Sequence, residues 1–131
     1  MDDEIRRVAS GAPWEPLIGY SRLVVAGPLI FVAGTTGTVD GRVAGVGDAY
    51  AQTIQAFRNV ETALAGAGAA LADVVQTQLF VTDIGRWEEF GRAHRELFAD
   101  IRPVTAMVGV SALIDPDMLI EVQAIAYKRP A

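Results

Sequence analysis

The chain has 131 residues, 51% of them hydrophobic and 21% charged, which is enough for one domain with a substantial core and unlike the composition of a disordered chain. A formal net charge of -5, with no run of five or more like charges, argues against a surface built to neutralise phosphates. With no cysteine there is neither a disulfide framework nor a thiolate nucleophile, and the longest apolar stretches, Leu23 to Ala26 and Leu29 to Ala33, are strand-sized rather than membrane-sized.

The expected partners therefore include neither nucleic acid nor membrane. The opening Met1-Asp2-Asp3-Glu4 is acidic where a signal peptide is basic, so the expected compartment is the cytoplasm.

The first third reads as extended segments around turns. Ile5 to Val8, Arg22 to Ala26 and Leu29 to Gly34 are candidate strands, Gly27-Pro28 is a hairpin turn, and Asp40-Gly41 is another turn. From Asp48 the period changes, because Tyr50, Ile54, Phe57, Val60 and Leu64 recur at helical spacing before Gly66 and Gly68. Val74 to Val81 follows as a strand, with Val75, Thr77, Leu79 and Val81 on one face. Asp83 is the N-cap expected for a second helix running to about Ala99, with Trp87, Phe90, His94 and Leu97 as its stripe.

After Arg102-Pro103, the segments Val104 to Leu113 and Met118 to Tyr127 are expected to pair as an antiparallel hairpin across Ile114-Asp115-Pro116-Asp117. On the first, Val104, Ala106, Val108, Val110 and Ala112 form the expected dry face. On the second, Ile120, Val122, Ala124 and Ala126 do so. The opposite face would gather Thr105, Met107, Leu119, Glu121, Gln123, Ile125 and Tyr127. Two amphipathic helices cover one face of a sheet and leave none for the other. That mixed face is too apolar for an ordinary wet surface, which suits a sheet closed by further subunits around a polar cleft.

Several stretches resemble the Rid (reactive intermediate deaminase, YjgF-like) family across nearly the whole chain. They are Ile18-Gly19-Tyr20, Phe31-Val32-Ala33-Gly34, the first helix ending at Ala67-Gly68, the run Asp73 to Asp83, and Ile120 to Ala126. The resemblance implies an α+β, chorismate-mutase-like (YjgF-like) fold: a single domain over 1–131, a mixed sheet with two helices on one face, and a homotrimer with a small-molecule ligand in each inter-subunit cleft. In family members with demonstrated chemistry, an arginine shortly after the proline pairs with the carboxylate of a 2-imino acid, and a glutamate on the last strand positions the hydrolytic water.

Glu121 matches that glutamate and is the candidate catalytic residue. Tyr20 matches the cleft tyrosine, and Gly34 and Met107 match the positions whose backbone amides lie near the ligand. The arginine position is Thr105, and a common helix-two asparagine falls at Gly91, so this is a divergent member. A bidentate guanidinium supplies charge and geometry that a threonine hydroxyl does not. Arg102, just before a proline at a helix end, reads as a solvated residue rather than a substitute.

Three functions stay open: hydrolytic deamination of an enamine or imine other than the usual 2-imino acids, a non-catalytic small-molecule-binding or protein-interaction trimer, and, weakest, a ribonuclease or translation inhibitor. No cofactor or metal is expected, since the one histidine, His94, sits in an apolar stripe and no His/Cys cluster, G-x-G-x-x-G, Walker-type loop or G-x-S-x-G elbow is present. Thr35 and Thr36 are open to either a ligand or a turn.

Overall fold

Two glycine turns set up the first half of the sheet. The computed structural model describes residues 4–129, so Met1 to Asp3 of the acidic opening lie outside the described residues. Strand β1 (Ile5–Val8) is followed by a short helix α1 (Trp14–Ile18), which ends at Gly19 in the left-handed region. Strands β2 (Leu23–Ala26) and β3 (Leu29–Thr35) then form the expected hairpin across Gly27, at φ 61°, and Pro28. The Asp40-Gly41 turn closes a small two-stranded hairpin, β4 (Thr38–Val39) and β5 (Arg42–Val43).

The Asp48 carboxylate accepts from the Ala51 amide and caps α2 (Ala49–Gly66). Gly68, at φ 77°, supplies the left-handed residue after its end, where the Ala69 amide reaches back to the Leu64 carbonyl. Strand β6 (Val74–Val81), helix α3 (Trp87–Phe98), strand β7 (Val104–Gly109) and strand β8 (Ile120–Tyr127) complete the chain. The six-stranded sheet has the order β1-β2-β3-β8-β6-β7, and only β6 and β7 run parallel.

Helices α2 and α3 share one face of this sheet, so the fold is α+β. The core between them holds Phe57, Phe90 and Phe98 against Leu23, Leu79, Ile120 and Val122. Each such side chain contributes about 1.5 to 3 kcal/mol by leaving water.

The expected β7–β8 hairpin does not form. Strand β6 lies between the two, pairing with β8 antiparallel and with β7 parallel. Helix α3 is the crossover that a parallel pair requires, and the Asp115 turn lies within a longer connection. This reverses the faces assigned to β7. Thr105 stands opposite Thr77 and Met107 opposite buried Leu79, so both lie on the helix-covered side, while Val104 (66% exposed) and Val108 (44%) lie on the open side.

Thr105 and Met107 therefore do not share a face with Glu121. Strand β8 keeps its expected alternation, with Ile120, Val122, Ala124 and Ala126 buried. Two smaller expectations also shift. A register irregularity between Val74 and Gln76 puts Val74 into the core and Val75 outside. Asp83 caps a 3-10 turn, Ile84–Arg86, that precedes α3, leaving Trp87 exposed and burying Phe98 together with the expected Phe90.

Candidate functional site

A bulge in β3 places the first part of the site. Val32 stands opposite Ala124 and Thr35 opposite Val122, so the strand spends one residue more than its partner, and Ala33 and Gly34 together oppose Gln123. Gly34 is thereby brought against Glu121 of β8. A methyl at Gly34 would lie 2.1 Å from Glu121 Oε2 and 2.9 Å from its Cδ, so only glycine lets the carboxylate occupy this place.

Glu121 is half-buried on the open face of the sheet, opposite Phe80. Among the described residues no hydrogen bond reaches its carboxylate. Burial pushes its carboxyl above the ordinary value of 4.5, and the charge of Arg22 pulls in the opposite direction.

Arg22 is the residue that sequence reasoning missed. Its Nη1 donates to the Gly34 carbonyl at 2.9 Å and to Thr35 Oγ1 at 3.1 Å, and its guanidinium carbon sits 5.8 Å from the Tyr20 ring centroid. Its Nε is 3.8 Å from Glu15 Oε2. Glu15 is buried, and burial alone would raise its carboxyl. The hydroxyl and amide of Ser10 and the charge of Arg22 outweigh that and hold it below the ordinary range. A line of polar contacts thus runs from Ser10 through Glu15 and Arg22 to Gly34.

Thr35 donates to the Ala33 carbonyl, and the Thr36 hydroxyl pairs with that of Thr38, so both serve the turn. Beside the site, the open face forms a groove of about 340 Å³ whose lining includes Tyr20, Val24, Phe31, Gln76, Gln78 and Gln123.

The structure therefore places Gly34 against Glu121 and Arg22 between Gly34 and the Tyr20 ring, and sets Thr105 and Met107 apart on the other face. Met107 packs against the core. Thr105 is exposed, and its oxygen accepts a 2.7 Å hydrogen bond from Thr77 Oγ1, which is itself 2.9 Å from His94 Nε2. The His94 ring packs against Phe57 and Phe98, and burial lowers its basicity below the ordinary value of 6.5.

Arg102 does not reach Thr105. Its Nε donates to the Ala99 carbonyl at the end of α3. Among the described residues no group of three or more His, Cys, Asp or Glu side chains gathers as metal ligands, and no helix is long and apolar enough to cross a membrane.

Residues 11–128 match the family described as Endoribonuclease L-PSP. A crystal structure of a YjgF/YER057c/UK114 family member from Mycobacterium tuberculosis superposes with a TM-score of 0.86 at 52% identity, covering 95% of this chain and 99% of that one. A protein from Acinetobacter baylyi named 3-aminoacrylate deaminase RutC is 31% identical over 113 residues, 86% of this chain and 89% of the relative. A RutC family protein from Pyrococcus horikoshii is 33% identical over 116 residues, 87% of this chain and 90% of the relative.

Proposed function

The chain belongs to the Endoribonuclease L-PSP family, the YjgF-like or Rid proteins, and from that premise we propose that it is a hydrolytic deaminase of enamines or imines in the cytoplasm. One observation carries the reading. Glu121 is a half-buried carboxylate with no hydrogen-bond partner among the described residues, held against Gly34 and beside the positive charge of Arg22. Such a group accepts a proton from a water more readily than a surface carboxylate does.

In the proposed reaction, an enamine first tautomerises to its imine. Glu121 takes a proton from water as the oxygen attacks the C=N carbon. That proton passes to nitrogen to give a carbinolamine, whose hydroxyl proton Glu121 then moves to the same nitrogen as the C–N bond breaks, and a carbonyl compound and ammonia leave. The relative named 3-aminoacrylate deaminase is named for an enamine, which supports this class.

The working unit in this reading is a homotrimer of single domains. Thr105 and Met107 lie on the opposite face from Glu121 and Gly34, so a cleft uniting all of them draws one set from each of two neighbouring copies. Exposed Phe31, Val104, Val108 and Tyr127 on the open face favour the same assembly. Light scattering showing a monomer at micromolar concentration would sink it.

The test of the reaction is ammonia release from a panel of enamines and imines. Glu121→Ala is expected to abolish it, and turnover indifferent to that change overturns the proposal. Thr105, where other members carry their anchoring arginine, favours a second reading: a cleft that binds a metabolite without turning it over. Thermal stabilisation by a ligand with no ammonia released distinguishes it. The acidic net charge gives an RNA-cleaving role less support.

A further inference from the structure

We propose that Thr105 is the substrate-selecting hydrogen-bond donor of this protein, that it takes the uncharged carbonyl oxygen of an amide or ester in preference to a carboxylate, and that Thr77 and His94 are the positioning residues that aim it. The proposal deepens the cleft described above and rests on Thr105 lining it.

A threonine hydroxyl has one hydrogen to give. That of Thr77 is given to Thr105 Oγ1, at 2.7 Å. Toward His94 the Thr77 oxygen therefore presents a lone pair, and the 2.9 Å contact requires the hydrogen to sit on His94 Nε2. The imidazole supports this state, because it is packed between Phe57 and Phe98 and burial disfavours its cationic form. Thr77 is fully buried, so water does not compete for its hydroxyl.

The order of donation then runs outward from His94 to Thr77 to Thr105. Thr105 has its oxygen occupied as an acceptor, and among the described residues nothing accepts its own hydrogen. That hydrogen is the free end of a chain in which each donor polarises the next. It lies on an exposed side chain, where a ligand can reach it.

The chemistry of such an end is specific. A single neutral donor suits one carbonyl oxygen. A carboxylate does better with a cation, because charge-assisted hydrogen bonds contribute roughly twice what neutral ones do. Arg102, the cation nearest in sequence, turns its Nε to the Ala99 carbonyl.

His94 is the single histidine, so nitrogen-15 labelling gives one imidazole spin system to read. At neutral pH the expected pattern is the neutral Nε2–H tautomer. The binding probes are 2-oxopropanamide and 2-oxopropanoate, which differ only in amide against carboxylate. The amide is expected to shift the His94 ring signals and to bind at least about five-fold more tightly than the acid. Thr105→Val is expected to weaken the amide by about five-fold. Thr105→Ser restores it, and His94→Gln, whose side-chain amide offers a donor, retains more of the preference than His94→Leu.

An Nδ1–H tautomer in the unaltered protein overturns the proposal, as does equal or tighter binding of the acid, no binding of the amide, or amide binding that survives Thr105→Val unchanged. None of these readouts needs turnover. Loss of the hydrolytic reading in the ammonia assay is thus distinguishable from loss of this one.

Discussion

Replacing Gly34 with alanine separates the site from the fold. The new methyl would stand 2.1 Å from Glu121 Oε2, 2.9 Å from Cδ and 3.3 Å from Cγ, against ordinary contacts of 3.4–4 Å. The carboxylate must therefore retreat by about 1 Å or more, and it can do so by rotating, since the clash is with the end of a flexible side chain rather than with backbone. Forcing that rotation costs about 0.5 to 1.5 kcal/mol. Alanine returns about 0.4 to 1 kcal/mol by restricting the unfolded chain. The net change in stability is small, a shift in Tm of about 4 °C or less at this chain length. Displacing a catalytic carboxylate by that distance lowers turnover by roughly 100-fold. Thermal unfolding and ammonia release on the same preparation check both halves. Turnover within about two-fold of the unaltered protein refutes the placement of Glu121 at the reacting centre; a fall in Tm well beyond about 10 °C refutes the claim that only the carboxylate yields.

Glu121→Gln is expected to stabilise the protein at neutral pH. Its carboxyl is raised in the folded state, so its favourable contribution is complete below about 4.5 and is lost as pH rises through the folded value; the Tm difference between variant and parent should grow from acid to neutral pH. Arg22→Leu removes the charge that opposes this rise, so the acid limb of the pH–rate profile should move to higher pH. Gln52 is fully buried and holds the Gly45 and Asp117 carbonyls and the Leu119 amide with one side chain. Gln52→Ala should cost about 2 to 4 kcal/mol in a denaturant titration, because a fully buried side chain is lost together with its three hydrogen bonds to backbone groups.

The sequence made α2 legible because its period is long and its ends are marked by Asp48 and Gly68. It made β8 legible because strict alternation survives wherever one face is buried. It misled at β7, where Asp115-Pro116 reads as a hairpin turn although β8 already has β3 and β6 as neighbours. The signal present was the order strand, helix, strand from Val74 to Gly109, which favours a parallel neighbour. Thr105 and Met107 were placed beside Glu121 by that same error. The meeting of Gly34 with Glu121 was legible only through family resemblance, since a bulge leaves no mark in composition. Arg22 was hidden for a simpler reason: a lone arginine at the start of an apolar strand run reads as solvent-facing.

The sheet order has a consequence for synthesis. Strand β8 is the last element in chain order, yet it stands in the middle, with β3 on one side and β6 on the other. Until it leaves the ribosome, β1 to β3 and β6 to β7 are separate ribbons, each with an open inner edge. The core beneath α2 and α3 closes only when that strand slots between them, so the two ribbons are expected to join after translation of β8.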